Sequence, residues 1–406
     1  MADRKNRWRT PILLLILFGF AAISVQVFFL WRARLLDGSI SQTSPAADLR
    51  QLRDLAERLA WYRPGDVELM FRRAEFADQS GDPEAAAAIL QGVPEASPQA
   101  ARARYLEGLV HRNAYLLDSA EHAFREALRI DPRMLEANRA LVALLGVERR
   151  RADQLRALQA WVKSGYGAIE PLRLLGQSVV VIPPGTLDKS TDEGAILEKG
   201  LKAQPESRHI RPALARFLRN RGDSSRAIET LVEWLSRNPD DIPAHIELFA
   251  TYVESGEDDL AEKNLKAIGA AGADFPEYWM TLGDYHRNLG RWADAAESYR
   301  RAISLDPHHP ETYYRLAECL RAEGKKAETA EMLKKHEALR MLAETVAAVD
   351  VSQPTVPAII AAANATAALR RPFEARAWAT EALRIERDNA EARAIVSRIT
   401  ENSNAP

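Results

Sequence analysis

The stretch that decides the fold is WMTLGDYHRNLGRWADAAESYRRAISLDP, residues 279–307. In its second half Ala295, Tyr299 and Ala302 fall four and three residues apart. They share one face of a helix, while Glu297, Arg300 and Arg301 fall on other faces and stay wet. In its first half Trp279, Leu282 and His286 repeat the three- and four-residue step. Gly290 stands between the halves, where a left-handed residue ends a helix. Asp306 precedes Pro307, which pushes it out of the helical region. The stretch therefore reads as a helix hairpin. Gly283 costs ~1 kcal/mol inside a helix. Its use, with Ala295, is to let the two helices approach closely.

The same spacing recurs along the chain. Gly222, Gly256, Gly290 and Gly324 are each 34 residues apart, as are Leu214, Leu248, Leu282 and Leu316, and Ala227, Ala261 and Ala295. Pro239 and Pro307 are two periods apart. Upstream, Ala86 and Ala120 keep the step, as do Leu90, Phe124 and Leu158. A 34-residue helix–turn–helix period with this small/large pattern resembles the tetratricopeptide repeat family, most closely over 276–309. Repeats begin near Val67, Ala101, Leu135, Arg208, Ile242, Pro276 and Pro310, with degenerate ones near 168–207 and 356–389. The resemblance implies an all-α fold, a right-handed superhelical solenoid of about nine helix hairpins. It also implies a concave groove lined by the first helix of each hairpin. Residues 48–349 would hold the array, 350–400 a degenerate hairpin and a capping helix, and 401–406 a tail. The segment at 182–194, IPPGTLDKSTDEG, forbids helix at its start and reads as a loop inserted between the two helices of one hairpin.

The N-terminus carries a different signal. PILLLILFGFAAISVQVFFLW, residues 11–31, has no charge and the length of a membrane span. A cleaved signal peptide is the rival, but its apolar region should be shorter and end in small residues; here Trp31-Arg32-Ala33-Arg34 follows. The segment is read as a retained transmembrane anchor. Arg4, Lys5, Arg7 and Arg9 precede it, against Arg32 and Arg34 after it. This bias puts residues 1–10 in the cytoplasm and the array outside it. With the anchor and the family together, the expected setting is a bacterial inner membrane with the repeats in the periplasm, tethered by 32–47.

Composition limits the alternatives. With 47% apolar and 28% charged residues the chain is too apolar for disorder. A net charge of −2 offers no case for nucleic acid. The one cysteine, Cys319, excludes an internal disulfide and a cysteine-cluster metal site, and reads as a buried small residue. His308-His309 with Asp306 lack a further ligand pair and read as exposed turn histidines. Gly165-Tyr166-Gly167 has no strand before it, and neither G-x-S-x-G nor H-E-x-x-H occurs. No stretch outside the repeats is long enough for a catalytic domain. The expectation is a non-enzyme with no cofactor and no metal.

Function then falls to the groove. Arg112-Asn113, Arg219-Asn220 and Arg287-Asn288 occupy equivalent places near the end of a first helix, and Arg321 matches the arginine in the next repeat. Such guanidiniums could form a ladder for backbone carbonyls or acidic side chains of a partner. Equally, cations favour a helix C-terminus and asparagine leads into a glycine turn. Members of the family that clamp chaperone C-termini use Lys and Asn one turn apart. The matching pairs here are Tyr105 and Leu109, Pro212 and Arg216, Met280 and Asp284, and Tyr314 and Glu318, so that clamp is not expected. Tyr105, Met280 and Tyr314 would offer apolar or aromatic contacts instead. The implied function is a single-pass membrane scaffold that binds peptide segments or helices of partner proteins in an envelope complex. A self-assembling module, forming homo-oligomers, and a cytoplasm-facing regulator of a membrane enzyme stand as alternatives.

Overall fold

The computed structural model describes residues 49–165, 167–177 and 192–403. The predicted membrane span at 11–31, the tether and most of the predicted insertion lie outside them. Among the described residues no helix is long and apolar enough to cross a membrane.

Those residues form twenty α-helices and no strand. In order they are α1 (Leu49–Tyr62), α2 (Val67–Gln79), α3 (Pro83–Gln91), α4 (Ala100–Asn113), α5 (Leu117–Ile130), α6 (Leu135–Val147), α7 (Arg151–Ser164), α8 (Ile169–Gly176), α9 (Glu193–Ala203) and α10 (Ile210–Asn220). There follow α11 (Ser224–Arg237), α12 (Ile242–Ser255), α13 (Asp258–Ile268), α14 (Pro276–Asn288), α15 (Trp292–Leu305), α16 (Pro310–Ala322), α17 (Lys326–Ala347), α18 (Val356–Ala368), α19 (Pro372–Ile385) and α20 (Ala390–Ser403).

Local chemistry sets the boundaries. Asp82 and Asp241 accept from the main-chain N–H of Ala85 and Ala244 at 3.1 and 3.3 Å, capping α3 and α12. Proline opens α3, α14, α16 and α19, where its missing N–H costs nothing. Gly290 turns left-handed (φ 70°) after α14, as its spacing predicts. At the corner after α6 that role falls to Arg149 (φ 57°), and before α19 to Arg370 (φ 56°). A residue with a Cβ pays roughly 1–2 kcal/mol for this conformation. Inside α14, a Cβ on Gly283 would lie 2.5 Å from the Tyr299 ring of α15, which is the close approach the sequence predicts.

The helices fall into two compact units: the chain up to Ala114 with His122–Ile130, and Tyr115–Glu121 with the chain from Asp131 onward. In the first unit α1 to α4 pack each on the next. Leu52, Ala56, Leu59 and Leu69 form one core there, and Phe71, Ala74, Leu90, Ala103 and Val110 belong to another.

In the second unit α9 to α13 and again α14 to α16 pack in sequence order, with the first helices α10, α12 and α14 side by side. The array does not run on as an open coil. Its last helices pack back on its beginning: α8 lies against α7, α17 and α19. One apolar core joins Val142, Trp161, Leu172 and Leu175 to Val346, Ile359, Trp378 and Ile395. Arg371 Nη2 donates to the carbonyl of Leu175 at 3.1 Å, and Arg151 Nε to Asp306 Oδ2 at 2.8 Å. Repeats in this unit thus bury apolar faces against more than their sequence neighbours, and α8, expected as the hairpin partner of α9, packs chiefly on α7, α17 and α19. The reason is in the helices themselves. Leu172, Leu174 and Leu175 point to different sides of the short α8, and α6 is buried at every position from Ala140 to Val147. A helix that is apolar all round needs cover on more than one side. Gly176 admits that cover, since a Cβ there would lie 2.6 Å from Val346 Cγ2.

Candidate protein-binding cavity

Within the second unit the first helices α10, α12, α14 and α16 line a cavity of ≈ 510 Å³, closed on another side by Arg149 and Arg151 from the corner between α6 and α7. Ile246, Ala250, Val253, Pro276 and Met280 supply apolar wall; six arginines, five carboxylates, Thr281, Asn288 and His309 supply the rest. A smaller cavity of ≈ 220 Å³ shares Arg149, Arg151, Arg216, Ile246 and Glu277 with it.

The charges are organised by repeat. First helices lie parallel, so a residue faces one in the next repeat 31 positions on. Arg216 Nε donates to Glu247 Oε2 at 2.8 Å, and Arg287 Nη1 to Glu318 Oε2 at 3.4 Å. Arg315 reaches back to Asp284 by the same step. Arg219 Nε donates to Glu247 Oε1 at 2.9 Å, and its Nη1 bonds Glu254. Glu247 is 2% exposed. Burial opposes its charge, but Arg216 and Arg219 hold its carboxyl below the ordinary range. Asp284 also accepts from Tyr299 Oη at 2.6 Å; burial and that carboxylate raise the phenol's pKa. Where α7 meets the corner between α15 and α16, burial opposes the charge on Asp306, while Arg151 and the main-chain N–H of His308 hold its pKa down.

The sequence-predicted residues divide among these surroundings. Arg216, Arg219, Met280, Asp284, Arg287 and Asn288 come together on the cavity wall. Asn288 Nδ2 donates to the carbonyl of Val253 at 3.4 Å, so it joins repeats as well as lining the wall. Asn220 and Arg321 are exposed and do not line the cavity. Tyr314 is exposed, with its ring 5.6 Å from that of His336. Tyr105, Arg112 and Asn113 belong to the first unit. There the Tyr105 ring lies 6.0 Å from Phe124, and Arg112 Nη2 donates to Asn113 Oδ1 at 3.4 Å. Of the four arginines of the expected ladder, Arg219 and Arg287 are thus tied to carboxylates within the protein, while Arg112 bonds an asparagine amide and Arg321 is exposed.

His308 and His309 are half-buried, not exposed, with Arg151 of α7 near both and Arg371 near His308. Burial, with Arg371 and Arg151 nearby, pushes His308 down to about 4. His309 is lowered too, chiefly by burial. Both are neutral near pH 7, and His309 lines the cavity. Among the described residues no group of three His, Cys, Asp or Glu side chains could hold a metal ion. Cys319 is fully buried.

Sequence reading missed Arg149, Arg151, Glu247, Asp306 and Arg315. Two signals were available. Opposite charges recur 31 residues apart, at Arg216 and Glu247, Asp284 and Arg315, and Arg287 and Glu318. The run Arg149-Arg150-Arg151 stands at a hairpin corner where other repeats place glycine.

Three family models described as tetratricopeptide repeat match residues 77–134, 221–285 and 276–309. The chain is a tetratricopeptide-repeat protein. Repeats of this family serve as protein–protein interaction scaffolds, and the cavity lies among them. No curated protein matches the chain. Among solved structures, this tetratricopeptide-repeat protein is similar to a crystal structure of MamA, at 20% identity over 44% of this chain and 97% of the other, with TM-score 0.29. It is similar to MamA from Desulfovibrio magneticus RS-1 at 18% identity over 43% and 95%, with TM-score 0.32. It is also similar to the APC/C hetero-tetramer Cut9–Hcn1 at 14% identity over 94% and 98%, with TM-score 0.35.

Proposed function

We propose that this protein is a single-pass scaffold of a bacterial inner membrane, anchored by residues 11–31, whose periplasmic repeats hold a segment of a partner protein in the cavity of the second unit. The observation that carries the binding role is the wall itself. Successive first helices contribute apolar side chains and guanidiniums to one recessed, open surface, at a volume that admits a few residues of chain. The anchor and the sidedness rest on the uncharged span and the cations before it.

The test uses the full chain in membranes. A photo-crosslinking residue at Thr281, on the cavity wall, should capture a discrete partner; one at Lys263, exposed on α13, should not. Ala250→Arg, which fills the cavity from α12, should remove the Thr281 product. Equal capture from both positions would discard the cavity as the binding site. A C-terminal reporter that works only outside the cytoplasm should be active; an inactive one reverses the orientation. Charge reversal at Arg219 is a poor probe, because it would place a carboxylate against the buried Glu247 and destabilise the wall.

A further inference from the structure

We infer that the corner between α6 and α7 is a proton-operated latch on the cavity wall: Glu148 holds a proton while the corner is packed, and its ionisation frees the stretch that carries Arg149 and Arg151. What the latch governs rests on the cavity being the partner site; the latch itself does not.

Three carboxylates share one guanidinium at this corner. Arg150 Nη1 bonds Glu121 and donates to Glu148 Oε2 at 3.0 Å, and Arg150 Nε donates to Asp153 Oδ2 at 2.8 Å. Asp118, from the start of α5 with Glu121, adds a fourth negative charge and accepts from Ser207 Oγ at 3.1 Å. The exposed Arg156 bonds Asp153 from α7. The other charges lining the ≈ 220 Å³ cavity beside the corner do not restore the balance. Arg149 is engaged by Glu193, Arg151 by Asp306 and Arg216 by Glu247. Arg208 and Glu277 are of opposite sign. His209 is lowered by burial and by Arg150, and so is neutral near pH 7.

Glu148 is where the proton belongs. Its side chain has no exposed surface, unlike those of Glu121 and Asp153. Its Oε1 has no hydrogen-bond partner, which a neutral carboxyl tolerates far better than a carboxylate does. Burial pushes the carboxyl up to about 7 against Arg150, and Glu121 and Asp118 raise it further. Asp153 goes the other way: burial opposes its charge, but Arg150 and Arg156 hold it below the ordinary range.

The backbone carries the effect to the wall. Glu148 ends α6, its N–H donating to the Leu144 carbonyl at 3.0 Å, and Arg149 turns left-handed directly after it. A charged Glu148 reaches water only if this corner moves. Arg149 and Arg151, one and three residues on, both line the larger cavity. Since the folded value of Glu148 lies above the ordinary one, the packed corner is favoured at low pH, and that advantage is lost as pH rises to about 7.

The experiment follows hydrogen exchange of the full-length protein at about pH 6 and about pH 8.5, corrected for the intrinsic effect of pH on exchange. Protection over 144–152 should fall at least about tenfold at the higher pH, while α14 and α15 keep theirs. Glu148→Gln, which has the shape of the neutral form, should keep the corner protected at both. Glu121→Gln removes a facing negative charge and should lower the midpoint of the loss. No loss between the two conditions, or an equal loss in Glu148→Gln, would overturn the latch. Crosslinking from Thr281 on the same samples separates the two readings. Capture that drops at the higher pH, but not in Glu148→Gln, supports control of the partner by the corner. Capture indifferent to pH while the corner opens overturns that control. Absence of any product at either pH counts against the cavity as the partner site, and the exchange result still decides the latch.

Discussion

The run of repeats from α10 to α16 and the seam where α6–α8 meet α17–α20 use the same kinds of helix in different ways. In the run each helix finds its partners within one or two elements. Tyr299, Ala295, Leu316 and Cys319 make a small local core, and ion pairs recur at a fixed step from repeat to repeat. At the seam, Trp161 and Trp378 share a core across most of the array. The run is held by periodicity; the seam is held by apolar helices that periodicity alone leaves uncovered. A repeat array can thus be modular along part of its length and globular where it closes, and the two parts should fail differently.

Removing a large seam side chain should produce the largest effect. Trp378→Ala leaves a cavity in a fully buried position and should cost about 3–5 kcal/mol. Hydrogen exchange should then rise in α6–α8 as well as in α17–α20. Faster exchange confined to α18–α20 would show that the closure is a light contact. Next, Asp306→Asn leaves the Arg151 guanidinium without its carboxylate and should cost about 3 kcal/mol, measured by denaturant unfolding. The same pair predicts a pH effect. The folded carboxyl of Asp306 lies below its unfolded value, so its contribution is complete above about pH 4 and is lost as pH falls through the lower folded value. Asp306→Asn should lack that part of the acid loss.

A third substitution tests the regular run. Gly283→Ala drives a Cβ into the Tyr299 ring and should cost about 1–3 kcal/mol, with exchange rising at α14 and α15 first. If α6–α8 respond equally, the run is not modular. The smallest effect should be a gain. Arg370 is exposed and left-handed, so Arg370→Gly should stabilise by roughly 0.5–1 kcal/mol, read as a small rise in Tm.

This contrast also explains what could be read in the sequence. The hairpin at 276–305, its glycine corner and the close pair Gly283 and Tyr299 follow from local spacing. Helices begin at Leu135, Ile242, Pro276 and Pro310, where the period places repeats. Half of the predicted groove residues lie together because parallel first helices carry equivalent positions to one face. The rest was not legible for two reasons. A spacing of 34 shows which residues are equivalent but not which bond to each other, so the guanidiniums looked available when Glu247, Asp284 and Glu318 already engage them. The run ALVALLGV in α6 and the leucines of α8 marked helices needing cover on several sides, but nothing in a local pattern names a partner some 200 residues away.

That distance bears on how the protein is made. Trp161 leaves the ribosome roughly 200 residues before Trp378 does, a wait on the order of 10–40 s at common rates of synthesis. Throughout that interval α6 and α8 have only α7 among their eventual neighbours and carry leucines that lack the rest of their cover, so the nascent chain is most prone to aggregate in its middle. Completing the C-terminal helices removes that exposure, and a chain stopped short of them would be a substrate for chaperones rather than a shorter scaffold.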